Sequence, residues 1–97
     1  MKTKIDEARE IINEVDNEMI SLFIKRMAAV SMVAEYKLEN DLPVLDSSRE
    51  DDIKRRNLDI LCNKKLEKFY VTFFDGVLKS SKEYQQYIIE THKKDNK

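Results

Sequence analysis

The chain has 97 residues with one glycine, one proline and one cysteine, which limits it to one domain, argues against a β-rich fold and excludes an intramolecular disulfide. Charged residues form 38% and the hydrophobic set 41%, with 18 basic against 19 acidic side chains. That balance suits amphipathic helices, is too apolar for a disordered chain and carries no nucleic-acid footprint.

A lone histidine, His92, and a lone cysteine, Cys62, leave no expectation of a metal, a cofactor or a Ser-His-Asp triad. The N-terminal stretch MKTKIDEARE lacks the apolar core of a secretory signal, and no apolar run reaches membrane-spanning length. A cytoplasmic protein without membrane contact is expected, and one cysteine fits a reducing compartment.

Apolar residues follow a heptad from Ile5 through Ala8, Ile12, Val15, Met19 and Leu22, then Ala29, Val33 and Tyr36. Nothing breaks this pattern before Pro43, so it predicts one helix over about residues 3–40, roughly 55 Å long. A compact chain of this size is only about 30 Å across. The helix therefore overhangs its own domain, and a homodimer that packs two long helices together covers the seam most simply. Pro43 disfavours helix at Leu42, so the chain turns there. Ser47 with Glu50, and Ser48 with Asp51, both match capping-box spacing and predict a second helix running to about Leu61. If Ser48 caps with Asp51, Glu50 is free to point elsewhere. CNKK reads as a short connector. A third helix is predicted over about Lys65–Thr91, on the stripe Leu66, Phe69/Tyr70, Phe73/Phe74, Val77/Leu78, Tyr84 and Ile88. Gly76 inside it suggests close helix–helix approach, and residues 92–97 read as a frayed, solvated tail outside a domain spanning residues 1–91.

Several polar residues stand where the pattern wants apolar ones. The heptad places Arg26 in the seam, and Lys37 projects from nearly the same face, about 20° round and roughly 16 Å along the helix. Taken alone, Arg26 reads as a cation snorkelling out of a seam or setting its register, and Lys37 as a solvated lysine at a helix C-terminus. Ser81 and Gln85, one turn apart, continue the line of Val77 and Leu78; they either face water on a narrow stripe or serve a site. Arg9 lies about 100° round and roughly 25 Å from Arg26, so the two cannot share a small pocket within one chain. In an antiparallel pairing of long helices, Arg9 of one chain could approach Arg26 of the other. Together these residues point to a donor-rich pocket for a small dianion, with no nucleophile and no histidine base. Any reaction there is driven by orientation and charge placement.

The segment DEAREIINEVDNEMISLFIKRMAAVSMVAEYKLENDLPVLDSSRED closely resembles the N-terminal half of the all-helical chorismate mutases, and SSKEYQQ looks like their third-helix segment; the likeness covers about residues 4–88. Its hallmarks are an early arginine, the run from Ile12 to Met27 ending in KRM, VAEYK, and PVLDSSRE. The resemblance implies an all-α, three-helix chain in an intertwined homodimer with two pockets, each converting chorismate to prephenate by a Claisen rearrangement without cofactor. It implies that Arg9 from the partner chain and Arg26 hold the two carboxylates, while Lys37 and Gln85 donate to the ether oxygen of the breaking bond. Glu50 matches the acceptor for the ring hydroxyl, with Asp46 beside it. Arg49 matches a pocket-lining arginine, and Ser81 a hydroxyl that assists at a carboxylate. Some fungal members have Glu where Gln85 stands, which ties their activity to protonation. The length leads us to expect a stand-alone mutase. The same fold also implies a rival, isochorismate pyruvate-lyase activity, and a non-catalytic helical dimer is the alternative from another class.

Overall fold

Three helices make up the computed structural model, which describes residues 1–95: α1 (Lys4–Glu39), α2 (Ser47–Leu61) and α3 (Lys64–Asp95). Thr3 starts α1 with a reciprocal capping box. The Asp6 N–H donates to Thr3 Oγ1 and the Thr3 N–H to an Asp6 carboxylate oxygen, each at 3.2 Å. The helix stops before the proline acts. Asp41 turns left-handed at φ 54°, and the Leu42 N–H donates back to the Lys37 carbonyl at 2.8 Å, a Schellman closure.

α2 is capped one residue before the Ser47 pair and two before the Ser48 pair. Asp46 is the N-cap, its carboxylate accepting the Arg49 N–H at 3.0 Å, and both serines lie inside the first turn. An aspartate here satisfies an orphan amide and adds a favourable charge at the positive helix end, which neither serine can match. Glu50 is left free, as the Ser48 alternative had required. The α2–α3 connector is only Cys62 and Asn63, with Cys62 left-handed at φ 46°. α3 continues through His92–Asp95, past the expected end at Thr91, and those residues are exposed; positions 96 and 97 of the expected tail lie outside the described residues.

Packing is confined to one half of the molecule. α3 runs against the C-terminal half of α1, and α2 folds back on α3. The buried apolar side chains are Val30, Ala34, Phe74, Leu78 and Ile89, with none from α2. The face that α1 gives to α3 is thus the i, i+4 row through Arg26, Val30 and Ala34, and not the heptad continuing through Ala29, Val33 and Tyr36, which stays exposed. In the N-terminal half the heptad residues Ile5, Ile12, Val15, Met19 and Leu22 are likewise exposed. The molecule measures 62 × 28 × 15 Å, with a radius of gyration of 17.4 Å against about 13 Å for a compact chain of this length. Fully exposing a leucine-sized side chain forgoes about 1.5–3 kcal/mol of burial.

Gly76 does not mark a close approach within the chain. A Cβ built there meets nothing within 4 Å. The residue lies about 200° round α3 from both Phe74 and Leu78, the pair that faces the core. Polar ties hold α2 to α3: Lys54 and Asp75 pair at 2.7 Å, and Asn57 Nδ2 donates to the Tyr70 hydroxyl at 3.0 Å.

Candidate active site

A cleft of about 180 Å³ opens where the end of α1, the corner at 40–46 and the start of α2 meet the middle of α3. The seven predicted site residues Arg26, Lys37, Asp46, Arg49, Glu50, Ser81 and Gln85 all line it. Arg9 does not; it is exposed on the overhanging half of α1. Val30, Val33, Ile53 and Leu78 form the apolar part of the wall, and Lys82 adds a cation to which the sequence reading gave no role.

The placement of Ser81 and Gln85 resolves their ambiguity. Both are buried, at 5% and 6% exposure, on the same α3 row as Phe74, Leu78 and Ile89. Burying a primary amide and a hydroxyl on an apolar stripe is costly unless both are hydrogen-bonded, and both are. Lys37 Nζ donates to Gln85 Oε1 at 3.0 Å. Because the amide oxygen is occupied by the lysine, the Gln85 NH₂ remains as a donor. Lys37 also donates to the Val44 carbonyl at 2.7 Å, so the ammonium is held between α3 and the corner with a third N–H in reserve. Lys37 is therefore not merely a solvated lysine at a helix end.

Arg26 leaves the heptad seam in the same way. Its guanidinium donates to Ser81 Oγ and lies over the Phe74 ring, 5.9 Å from the centroid. The Ser81 hydroxyl passes its own hydrogen to the Val77 carbonyl at 2.9 Å. In this state Ser81 is an acceptor that orients Arg26, and its proton faces the helix backbone. Glu50 reaches across from the first turn of α2 to Lys82, with Nζ 3.2 Å from one carboxylate oxygen and 3.4 Å from the other. Arg49 and Asp46 stand at the exposed rim.

Arg26, Lys37, Arg49 and Lys82 outnumber Asp46 and Glu50, so the cleft is net cationic while keeping one fixed acceptor. Such a lining suits a small molecule with two negative charges and a hydroxyl. Among the described residues no cluster of His, Cys, Asp or Glu is arranged to hold a metal ion, and no helix is long and apolar enough to cross a membrane.

The comparisons with known proteins agree with this chemistry. The sequence model of the family "Chorismate mutase type II" matches residues 8–86. A curated relative from Methanocaldococcus jannaschii, named chorismate mutase, is 32% identical over 106 aligned positions that span all of both chains. No solved structure gives a significant match. With most of its length inside the family's sequence model and a full-length relative at that identity, this chain belongs to the chorismate mutase type II family.

Proposed function

We propose that the chain rearranges chorismate to prephenate in the cleft between α1, α2 and α3, and that a second copy of the chain completes each cleft. Family membership makes it a chorismate mutase, an enzyme of aromatic amino acid biosynthesis. The observation that carries the assignment of the site is the Lys37–Gln85 pair, a charged donor and an amide donor locked together at 3.0 Å on a buried wall.

The reaction is unimolecular and needs no acid, base or covalent step. Chorismate must be held in a compact, pseudo-diaxial form, and its transition state draws negative charge onto the ether oxygen. Arg26, pre-oriented by Ser81 and Phe74, clamps one carboxylate by charge-assisted, potentially bidentate hydrogen bonds. Arg9 of the partner chain takes the other, and Ser81 assists once its hydroxyl turns from the helix. The third N–H of Lys37 and the NH₂ of Gln85 meet the ether oxygen, where their pull grows as charge develops, so the transition state is bound more tightly than the substrate. Glu50 accepts the ring hydroxyl, with Asp46 and Arg49 closing the rim.

Two features support an intertwined homodimer. The apolar heptad of the first half of α1 has no cover among the described residues, and the cleft is smaller than the roughly 300–1,000 Å³ usual for ligand sites and contains only one of the two arginines proposed to bind carboxylates. We further propose a catalytic domain of residues 1–91 working in a reducing cytoplasm, in keeping with the free, exposed Cys62.

Following loss of chorismate absorbance with purified protein, with prephenate identified as product, tests the activity. Assaying isochorismate alongside tests the lyase alternative, and pyruvate release exceeding prephenate formation would overturn the assignment. A solution mass of one 11.5 kDa chain at assay concentration would overturn the dimer.

A further inference from the structure

Lys82 follows Ser81 and precedes Gln85 by three residues, so α3 presents Ser81, Gln85 and Lys82 within about 100° of its circumference. Its ammonium straddles the Glu50 carboxylate, 3.2 Å from one oxygen and 3.4 Å from the other. The Glu50 side chain is 19% exposed and the Lys82 side chain 35%, so this pair is screened less than a free surface ion pair.

The pair answers a difficulty built into the cleft. A dianionic substrate must approach an ionised carboxylate, and like charges at such range oppose binding strongly. Asp46 lines the same cleft and adds to the repulsion, while Arg26 bonds Ser81 and Lys37 bonds Val44 and Gln85, so neither is placed on Glu50 and their remaining donors are left to the substrate. Lys54, on the same helix as Glu50, is paired with Asp75. Lys82 is the cation placed directly on Glu50. By occupying both oxygens from one side it also fixes the plane of the carboxylate, leaving lone pairs on the other side for a hydroxyl donor.

We propose that Lys82 is a positioning residue for the rearrangement: it neutralises Glu50 and orients its carboxylate, so that the enzyme accepts the substrate's ring hydroxyl without repelling its carboxylates. The proposal rests on the reading of Glu50 as hydroxyl acceptor. Its test is a double-mutant cycle measuring kcat and KM for chorismate in the full-length protein. Lys82→Met should raise KM about tenfold while kcat falls less than about threefold, because binding and not barrier lowering is lost. Lys82→Arg should restore KM to within about threefold of the original. In a Glu50→Gln background, where no charge needs neutralising, Lys82→Met should change kcat/KM by less than about twofold. An unchanged KM in Lys82→Met overturns the proposal, as does an equal loss in both backgrounds, which would mean that Lys82 acts on the substrate directly or on the fold. Should Lys82→Met fail to fold, Lys82→Gln takes its place in the cycle. Absence of chorismate turnover in the unmutated protein would instead overturn the functional reading itself.

Discussion

Replacing Lys37 by Met keeps the length of the side chain and removes its charge and its three donors. Two of those donors are spent in the free protein, on Val44 at 2.7 Å and on Gln85 at 3.0 Å, and the third is available to substrate. Loss of one pre-placed donor aimed at developing charge costs about 3–4 kcal/mol, or roughly 10²–10³ in kcat. Here the loss should fall at the upper end, because the Gln85 amide also loses the partner that keeps its NH₂ turned toward the cleft. In the proposed arrangement Lys37 meets the ether oxygen and not a carboxylate, so KM should stay within about threefold of the original. The fold should persist: Lys37 is only part-buried, and the cleft admits water to the orphaned Val44 and Gln85 oxygens. The assay is steady-state loss of chorismate absorbance, with far-UV circular dichroism and solution mass as controls. A kcat within tenfold of the original, or a loss carried entirely by KM, would refute the role given to this lysine.

Arg9→Ala and Arg26→Ala should each lose at least about a hundredfold in kcat/KM. Mixing the two variants under conditions of proven subunit exchange should regenerate some active clefts, and no recovery would count against a shared site. Gln85→Glu should be poorly active at neutral pH and gain activity as pH falls, because the adjacent Lys37 favours the ionised carboxylate, which must be protonated to donate; a flat profile of kcat against pH would refute this. The hydrogen bond to Asp75 raises the pKa of Lys54 above its ordinary value, outweighing desolvation. A group raised on folding contributes stability that is full below its unfolded pKa of about 10.4 and is lost as pH rises through the folded value. Asp75→Asn should therefore lower the urea midpoint at about pH 8, with the difference shrinking as pH rises through the raised folded value; a difference that stays constant with pH would exclude the pair as its source.

Periodicity and punctuation made the helices legible. The capping residues, Pro43 and the unbroken heptad put the ends of α1 and α2 within about two residues of those observed. Where the reading slipped, a local competitor won: Asp46 over the serines as cap, and continuing helix over a frayed tail at His92–Asp95. The close approach expected at Gly76 is not made among the described residues. The site was harder to read from pattern. A polar residue on an apolar stripe signals a site only when it is buried, and burial is a tertiary fact. Ser81 and Gln85 were therefore ambiguous until α1 covered them, and the resemblance, not the spacing, gave them roles. Lys82 was missed because one lysine among many on a charged helix carries no signal until its partner on α2 is known. The acceptor at Val44 is a backbone atom, which no residue-type pattern could single out.

That backbone acceptor has a consequence for how this sequence can vary. Every amino acid at position 44 offers the same carbonyl oxygen, so the anchor of Lys37 is indifferent to the identity of the residue that supplies it. It is not indifferent to counting. Adding or deleting one residue between the end of α1 and Val44 shifts the chain by about 3.5 Å, more than the length of the hydrogen bond itself. A chain altered in that way would keep every side chain assigned to the chemistry and still release the lysine. The corner is therefore tolerant of spelling and strict about length. A screen that scores substitutions alone would find it permissive, whereas single-residue insertions would expose its hold on Lys37.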